Sequence, residues 1–209
     1  MPLRELNVRL AKIADANQLA DVHFECLGDL PGGILKTLGK QFRYSYYRLM
    51  LMEPKSLVLC LENSDRRILG LAAGSLDAAE HISTLKRHRL RLLGAALPAL
   101  IRNPRLIAQL RDRQRASQEG DADNGYVVVS GPRLEFWGVV CEARAGGAAL
   151  ILLQAWLSMA KILGAGRVRF EVNETEWEVE KMHRRMGAEL VKDFVTRAGV
   201  RRRILEYQI

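Results

Sequence analysis

The spacing of apolar residues changes twice between Arg133 and Val172, and no other feature constrains the fold as much. Apolar residues predict a strand over Arg133–Val140, and polar and apolar residues alternate over Arg167–Val172 as in a half-buried strand. Between the two, Gly147–Leu163 is a strongly apolar segment of helical length. A strand, a glycine-rich turn, a helix and a second strand in this order predict an α/β domain with helices layered on a sheet.

The rest of the chain continues the interleaving of strands and helices. The predicted elements are a strand at Asn7–Ile13, a helix with Asp15 as its N-cap, a helix at Ile34–Met52, a hairpin at Ser56–Leu61 and Arg67–Leu76, two helices divided near Pro98 or Asn103-Pro104, a mobile loop at Ser117–Gly125, a helix at Glu176–Met186 and a hairpin at Leu190–Val195 and Arg202–Tyr207 around Ala198-Gly199. This order predicts a single domain over residues 1–209, with a helical insertion at about 80–125.

The positive charge of the chain is concentrated in that insertion. Between Lys86 and Arg115 the sequence carries nine basic residues and one acidic residue, so this segment accounts for the whole net charge of +8. A uniformly basic nucleic-acid-binding protein is therefore not expected. Several roles remain open for the basic segment. It can be a solvated helix face, or a surface that docks on membrane headgroups, on a nucleotide-sugar phosphate or on an acidic acyl carrier protein. Its apolar residues suit peripheral membrane contact, and equally packing on the sheet or a homodimer contact.

Cysteine usage and the N-terminal sequence indicate a cytoplasmic protein. Cys26, Cys60 and Cys141 are far apart, and no Cys/His pair has ligand spacing, so neither a disulfide framework nor a metal site is expected. The N-terminal MPLRELNVRL carries charges where a signal peptide would be apolar, and no apolar run approaches the roughly 18 residues that a membrane span needs.

The turn between the first of the two strands and the apolar helix is rich in glycine and alanine. Gly146 and Gly147 allow open backbone conformations there, and successive N–H groups at the start of the helix can cradle an anion. Arg144 adds a positive charge at the edge of this anion site, so a pyrophosphate is the expected ligand. A small-residue turn that merely packs closely is the alternative. The GxGxxG pattern of a Rossmann dinucleotide site is absent from this region.

From about Leu134 to Leu190 the chain resembles the core of the GNAT superfamily of acyl-CoA-dependent N-acyltransferases. Arg144, Gly147 and Ala149 match the family's Arg/Gln-x-x-Gly-x-Gly/Ala motif, which grips the coenzyme A pyrophosphate. Asn173 stands at the family's usual asparagine, and His183 replaces the tyrosine of the later helix. The resemblance implies a mixed, mostly antiparallel sheet flanked by helices and splayed between the fourth and fifth strands.

The resemblance also implies roles for individual residues. The positions assigned to the cofactor are Val139, Arg144, Ala145, Gly146, Gly147, Ala148, Ala149 and Asn173. The Val139 N–H is expected to polarise the thioester carbonyl. Glu135, expected to share a strand face with Trp137 and Val139, is the candidate general base, with a surface glutamate as the alternative.

His183 is the candidate general acid for the departing thiolate when it is protonated, and as a neutral imidazole it could still hydrogen-bond there; a solvated histidine is the alternative. His23 and Tyr46 are assigned to the acceptor pocket, and a structural histidine and a core tyrosine are the alternatives. No metal ligand is assigned.

The function implied is transfer of an acetyl group from acetyl-CoA to a primary amine of a small acceptor, with an amino sugar slightly favoured. Two alternatives remain open. One is a non-catalytic binding or regulatory module that keeps the fold, and the other is an acyltransferase whose donor is an acyl carrier protein.

Overall fold

The computed structural model describes residues 6–27, 34–108, 110–111, 130–195 and 201–209. Its strands are β1 (Asn7–Leu10), β2 (Ser56–Glu62), β3 (Ile68–Ser75), β4 (Arg133–Val139), β5 (Arg167–Asn173), β6 (Glu189–Val195) and β7 (Arg201–Gln208). Its helices are α1 (Ala16–Leu27), α2 (Ile34–Thr37), α3 (Lys40–Met52), α4 (Ala78–Arg87), α5 (Arg89–Arg102), α6 (Ala148–Ile162) and α7 (Trp177–Arg185), and residues 105–108 are also helical. The predicted loop at Ser117–Gly125 and turn at Ala198-Gly199 lie outside the described residues.

The strands form one seven-stranded sheet in the order β1-β2-β3-β4-β5-β7-β6. Every neighbouring pair is antiparallel except β4 and β5, which are parallel. The predicted mixed, mostly antiparallel sheet is therefore confirmed. Both predicted hairpins are present, because β2 pairs with β3 and β6 pairs with β7.

Helices cover both faces of the sheet, and glycines allow them to approach it closely. On one face α1 lies over β4, where a Cβ added at Gly138 would stand 3.2 Å from Cys26 Cβ. On the other face α6 lies over β3, where a Cβ added at Gly74 would stand 2.4 Å from the Trp156 ring. Trp156 is fully buried and its Nε1 donates to Leu57 O at 2.9 Å, which ties α6 to β2.

Three helix boundaries differ from the sequence prediction. Asp15 does not cap α1, because its carboxylate accepts from the Lys12 N–H at 2.7 Å and pairs with Arg9. The predicted helix at Ile34–Met52 is two helices, since Gly39 adopts φ 87° between α2 and α3. The basic helices divide at His88 rather than at Pro98, which lies inside α5, whereas the predicted break at Asn103 is the end of that helix.

Among the described residues, no helix combines the length and apolar character that crossing a bilayer requires.

Candidate active site

The glycine-rich turn leaves the sheet at the end of β4 and enters α6. The Val140 N–H still donates to Leu69 O at 2.8 Å, and two short 3₁₀ turns follow before the helix begins. Gly146 and Gly147 have φ angles of 84° and 81°, a region that residues with a Cβ rarely adopt. Both glycines are therefore required by the path of the backbone.

The N-terminus of α6 is built to accept an anion. Gly147 is its N-cap, and no described side chain caps this end of the helix. A Cβ added at Gly147 would meet nothing within 4 Å, so the space beside the turn is open. The unbonded N–H groups of the first turn and the helix dipole both favour a negative charge there.

The other predicted residues of the turn surround these amides. Ala145 belongs to the second 3₁₀ turn, and Ala148 and Ala149 begin α6. Arg144 is exposed, and its Nη2 donates to Cys26 O of α1 at 3.5 Å. The guanidinium therefore stands between the turn and the C-terminal end of α1, and its contact with a pyrophosphate stays a prediction.

β4 and β5 separate on the way to this turn. Within these two strands they pair at one register position, Arg133 with Arg169, near their N-terminal ends. The strands run apart towards Val139 and Asn173, so a gap opens beside the glycine-rich turn. The predicted splay between the fourth and fifth strands is present.

One edge of β4 faces this gap. Successive residues of a strand direct their amides to opposite edges. Because the Val140 N–H donates to β3, the Val139 N–H points to the β5 side, where β4 is unpaired. The amide predicted to polarise a carbonyl group therefore faces the gap.

A β-bulge at Glu135 changes which side chains of β4 lie on each face of the sheet. Ala73 pairs with Phe136 and Gly74 pairs with Leu134, so Glu135 is the extra residue. A bulge interrupts the alternation of side chains. The prediction that Glu135 shares a face with Trp137 is therefore wrong. Trp137 Nε1 donates to Ala149 O on the α6 side, whereas Glu135 pairs with Arg133, which also contacts Glu171 on the face of β5 opposite Phe170 and His183.

Glu135 belongs to a network of charges across three strands. Arg133 Nη2 lies 3.1 Å from Glu135 and 3.4 Å from Glu171 of β5, and Glu171 also pairs with Arg202 of β7 at 3.2 Å. Burial lowers the pKa of Arg133, but the two carboxylates outweigh it and the net shift is upward. Arg133 is thus a cation held between two carboxylates, and Glu135 stands in an ion pair beside the bulge.

His183 of α7 lies over the gap, on the α6 side of the sheet. Its ring contacts Trp137 of β4 and Phe170 of β5, with centroid distances of 5.4 Å and 4.3 Å. The alternative of a solvated histidine is wrong, because His183 is 2% exposed. Burial lowers its pKa to about 4, so the ring is neutral at neutral pH.

Only one of the two ring nitrogens of His183 has a hydrogen-bond partner among the described residues. Nδ1 lies 2.7 Å from the Tyr207 hydroxyl, and Nε2 has no partner among the described residues. A neutral imidazole carries one proton, so His183 can offer a hydrogen bond or accept one, but it does not supply an imidazolium proton. The structure therefore does not favour an imidazolium at position 183 as the donor of a proton to the thiolate.

Asn173 stands at the end of β5, on the far side of the gap from Val139. Its side-chain amide donates to Glu176 at 2.9 Å, and the same carboxylate accepts from the Asn173 N–H. This contact joins the strand to the turn that precedes α7. The amide donor of Asn173 is thus engaged locally, and its assignment to the cofactor stays a prediction.

His23 lies on the opposite face of β4 from His183. It is 2% exposed, stacks on Phe136 with ring centroids 3.8 Å apart, and hydrogen-bonds the Tyr47 hydroxyl. Burial lowers its pKa to about 3, with a smaller contribution from Arg43. This neutral ring is enclosed by Phe136 and Tyr47, and its assignment to the acceptor pocket stays a prediction.

Tyr46 joins a buried polar chain that the sequence analysis missed. Its hydroxyl lies 3.3 Å from His81 Nε2, and His81 Nδ1 donates to Glu53 at 2.6 Å. Burial raises the pKa of Glu53, but hydrogen bonds from His81, Ser56 and Thr84 outweigh it and lower it overall. Tyr46 and Glu53 belong to α3 and its C-terminal end, whereas His81 and Thr84 belong to α4, so no local pattern could have joined the two groups.

No group of three or more potential metal ligands occurs among the residues that the structure describes.

Solved structures with the same architecture are acetyltransferases. The GNAT-family acetyltransferase of Bacillus cereus ATCC 10987 has a TM-score of 0.57 and 13% identity, over 97% of this chain and 96% of its own. The PaiA N-acetyltransferase of Thermoplasma acidophilum, solved with coenzyme A, has a TM-score of 0.59 and 12% identity, over 98% and 99% of the two chains. The yncA protein of Salmonella typhimurium, solved with acetyl-CoA, has a TM-score of 0.59 and 11% identity, over 97% and 93%.

No family model matches the chain, and no curated protein matches it. The likeness to these structures spans nearly the whole chain at low identity, so the chain has the GNAT fold.

Proposed function

We propose that this protein is an N-acetyltransferase that moves an acetyl group from acetyl-CoA to a primary amine of a small acceptor. The observation that carries the proposal is the gap between β4 and β5 beside an uncapped helix N-terminus. The β5 side of β4 has unpaired amides along the gap, and the N-terminus of α6 supplies the anion site beside it. This pairing suits a donor with a pyrophosphate and an extended amide-containing arm.

The residues present fit coenzyme A. Gly146 and Gly147 expose the amides of the turn for a pyrophosphate, and Arg144 adds a positive charge at the rim. The edge of β4 around Val139 can hydrogen-bond an amide-containing arm as a neighbouring strand would. Acetyl-CoA, once bound, supplies an activated acetyl group as a thioester.

The acceptor side is assigned to the face of β4 that carries Glu135. At neutral pH a primary amine is mostly protonated, and the ammonium ion must lose a proton before the amine attacks a carbonyl group. Glu135 is the group that we assign to accept that proton through a water molecule, and Arg133 lies 3.1 Å from its carboxylate. The Val139 N–H stabilises the negative charge that develops on the carbonyl oxygen during the attack.

His183 acts as a neutral hydrogen-bonding group in the gap. Nε2 has no partner among the described residues, and the ring contacts Trp137 of β4 and Phe170 of β5, the two strands that separate. With the tautomer that carries its proton on Nε2, the ring can stabilise a departing thiolate without being an imidazolium. We therefore assign His183 as a neutral hydrogen-bond donor to the thiolate, in place of the charged general acid.

The acceptor we test first is an amino sugar, with Tyr46 and the wall formed by His23 and Phe136 as its surroundings. Aromatic rings and buried hydroxyl groups suit the faces and edges of a sugar. We place the enzyme in the reducing cytoplasm, because Cys26, Cys60 and Cys141 are all free thiols.

A panel of amines tests the proposal when thiol release from acetyl-CoA is followed. We expect turnover with at least one small primary amine, and amino sugars are assayed first. Saturable acetyl-CoA binding without turnover on any amine would favour a non-catalytic module, and absence of acetyl-CoA binding would favour a carrier-protein donor.

A further inference from the structure

α5 carries large apolar side chains that face solvent. Leu90, Leu93, Leu97 and Ile101 are 78%, 46%, 53% and 73% exposed. Their spacing of three, four and four residues places them along one side of the helix. We call these four residues the apolar stripe.

The apolar stripe is distinct from the side of α5 that packs on the protein. Leu92 and Ala96 are buried, and Ala96 packs in a small core with Leu38 and Leu106. At 100° per residue, the apolar stripe is centred roughly 120° around the helix from that buried side. The folded domain therefore leaves a second apolar face of α5 uncovered by any described residue, and such faces mark interaction sites.

A belt of positive charge covers α5 and the segments directly before and after it. Seven basic residues and no acidic residue occur between positions 86 and 111: Lys86, Arg87, Arg89, Arg91, Arg102, Arg105 and Arg111. All seven are exposed, and none pairs with a carboxylate of a described residue. Arg91 and Arg102 lie on one flank of the apolar stripe and Arg89 on the other.

We propose that α5 docks on an anionic phospholipid bilayer, with the apolar stripe in the acyl boundary and the flanking arginines at the lipid phosphates. An apolar helix face bordered by cations is the arrangement that holds a helix in the plane of a membrane surface. A second copy of the chain would bring the two belts of like charge together, which opposes self-association through this face. An acidic soluble protein would satisfy the arginines but not the isolated apolar stripe.

Cosedimentation with vesicles tests this surface in the full-length protein. The lipids are equal parts phosphatidylglycerol and phosphatidylcholine, with pure phosphatidylcholine as the neutral comparison. We expect binding to the anionic vesicles that weakens as salt rises. Leu90→Glu with Ile101→Glu should weaken it at least tenfold, and Arg91→Gln with Arg102→Gln about thirtyfold.

Ile162→Glu is the matched control, because Ile162 is 76% exposed at the end of α6 and outside the apolar stripe. It should bind vesicles as the unmodified protein does, and circular dichroism should show the same helix content for every variant. The proposal is overturned if anionic vesicles do not bind the protein, or if the leucine and isoleucine changes leave binding intact. It is also overturned if light scattering finds a dimer that only the stripe variant dissociates.

Discussion

The imidazole of His183 packs edge-on against the indole of Trp137, with ring centroids 5.4 Å apart, where β4 and β5 have separated. Trp137 in turn donates to Ala149 O in the first turn of α6. The two side chains thus link α7, β4 and the first turn of α6, beside the glycine-rich turn.

Replacement of His183 tests this link through catalysis. His183→Ala should lower kcat about tenfold to a hundredfold, because a neutral hydrogen-bond donor for the thiolate is lost. Acetyl-CoA affinity should change little, since the pyrophosphate amides lie in another segment. Steady-state kinetics and calorimetric titration separate the two effects. Equal kcat for variant and unmodified enzyme would remove His183 from the reaction.

Glu135→Gln tests the general base. The variant should lower kcat by about a hundredfold or more, because the amide cannot take a proton from the ammonium. The loss should shrink as pH rises, since more of the acceptor amine is then already deprotonated. A second variant, Glu171→Gln, removes the other carboxylate beside Arg133 and is expected to retain most activity. Similar losses in the two variants would mean that the network matters only for structure.

Two buried histidines make stability fall in mild acid. Their folded pKa values, about 3 for His23 and about 4 for His183, lie below the value of 6.5 expected in the unfolded chain. Their stabilising contribution is therefore complete above pH 6.5 and is lost as pH falls towards the folded values. The burial of each histidine should lower the free energy of unfolding by about 2 kcal/mol when the pH falls from 7 to 5.

Urea denaturation across this range measures the effect. His183→Gln and His23→Gln should each flatten the pH dependence by about that amount, whatever they do to stability at pH 7. A pH dependence that is the same in both variants and in the unmodified protein would show that neither ring is buried as neutral imidazole.

The Glu53–His81 pair should contribute far more than an exposed pair. Both side chains are 2% exposed, so His81→Leu leaves a buried carboxylate without its main partner and should cost about 3 kcal/mol. Lys40→Ala is the comparison, because Lys40 and Asp21 form an exposed pair at 2.8 Å, and it should cost under about 1 kcal/mol. Chemical denaturation at pH 7 provides both values, and equal costs would contradict the burial of the pair.

Local patterns predict the elements of this fold well and the contacts between them poorly. The alternation in Arg167–Val172 predicts β5, and the apolar segment with its preceding glycines predicts α6 and the turn, because both signals are local in sequence. The helix break at Gly39 was missed, since a single glycine inside a helical pattern does not specify a positive φ.

The chemistry of the site depends on relationships that a single strand does not encode. The bulge at Glu135 arises from its register with β3, so simple alternation put its side chain on the wrong face. Arg133 meets Glu171 only because β4 and β5 are neighbours, and His81 meets Glu53 through the packing of α4 on the end of α3. The turn motif was identified because its residues are contiguous.

The most direct test of the account is calorimetric titration of acetyl-CoA into the unmodified protein, Gly147→Ala and Gly164→Ala. The two glycines have φ of 81° and 92° and open space for a Cβ, so both changes carry a similar backbone cost of about 1–2 kcal/mol. Only Gly147 lies in the proposed pyrophosphate site. The account predicts saturable binding that Gly147→Ala weakens at least about tenfold and Gly164→Ala leaves unchanged; equal affinity in all three proteins, or no binding at all, would contradict it.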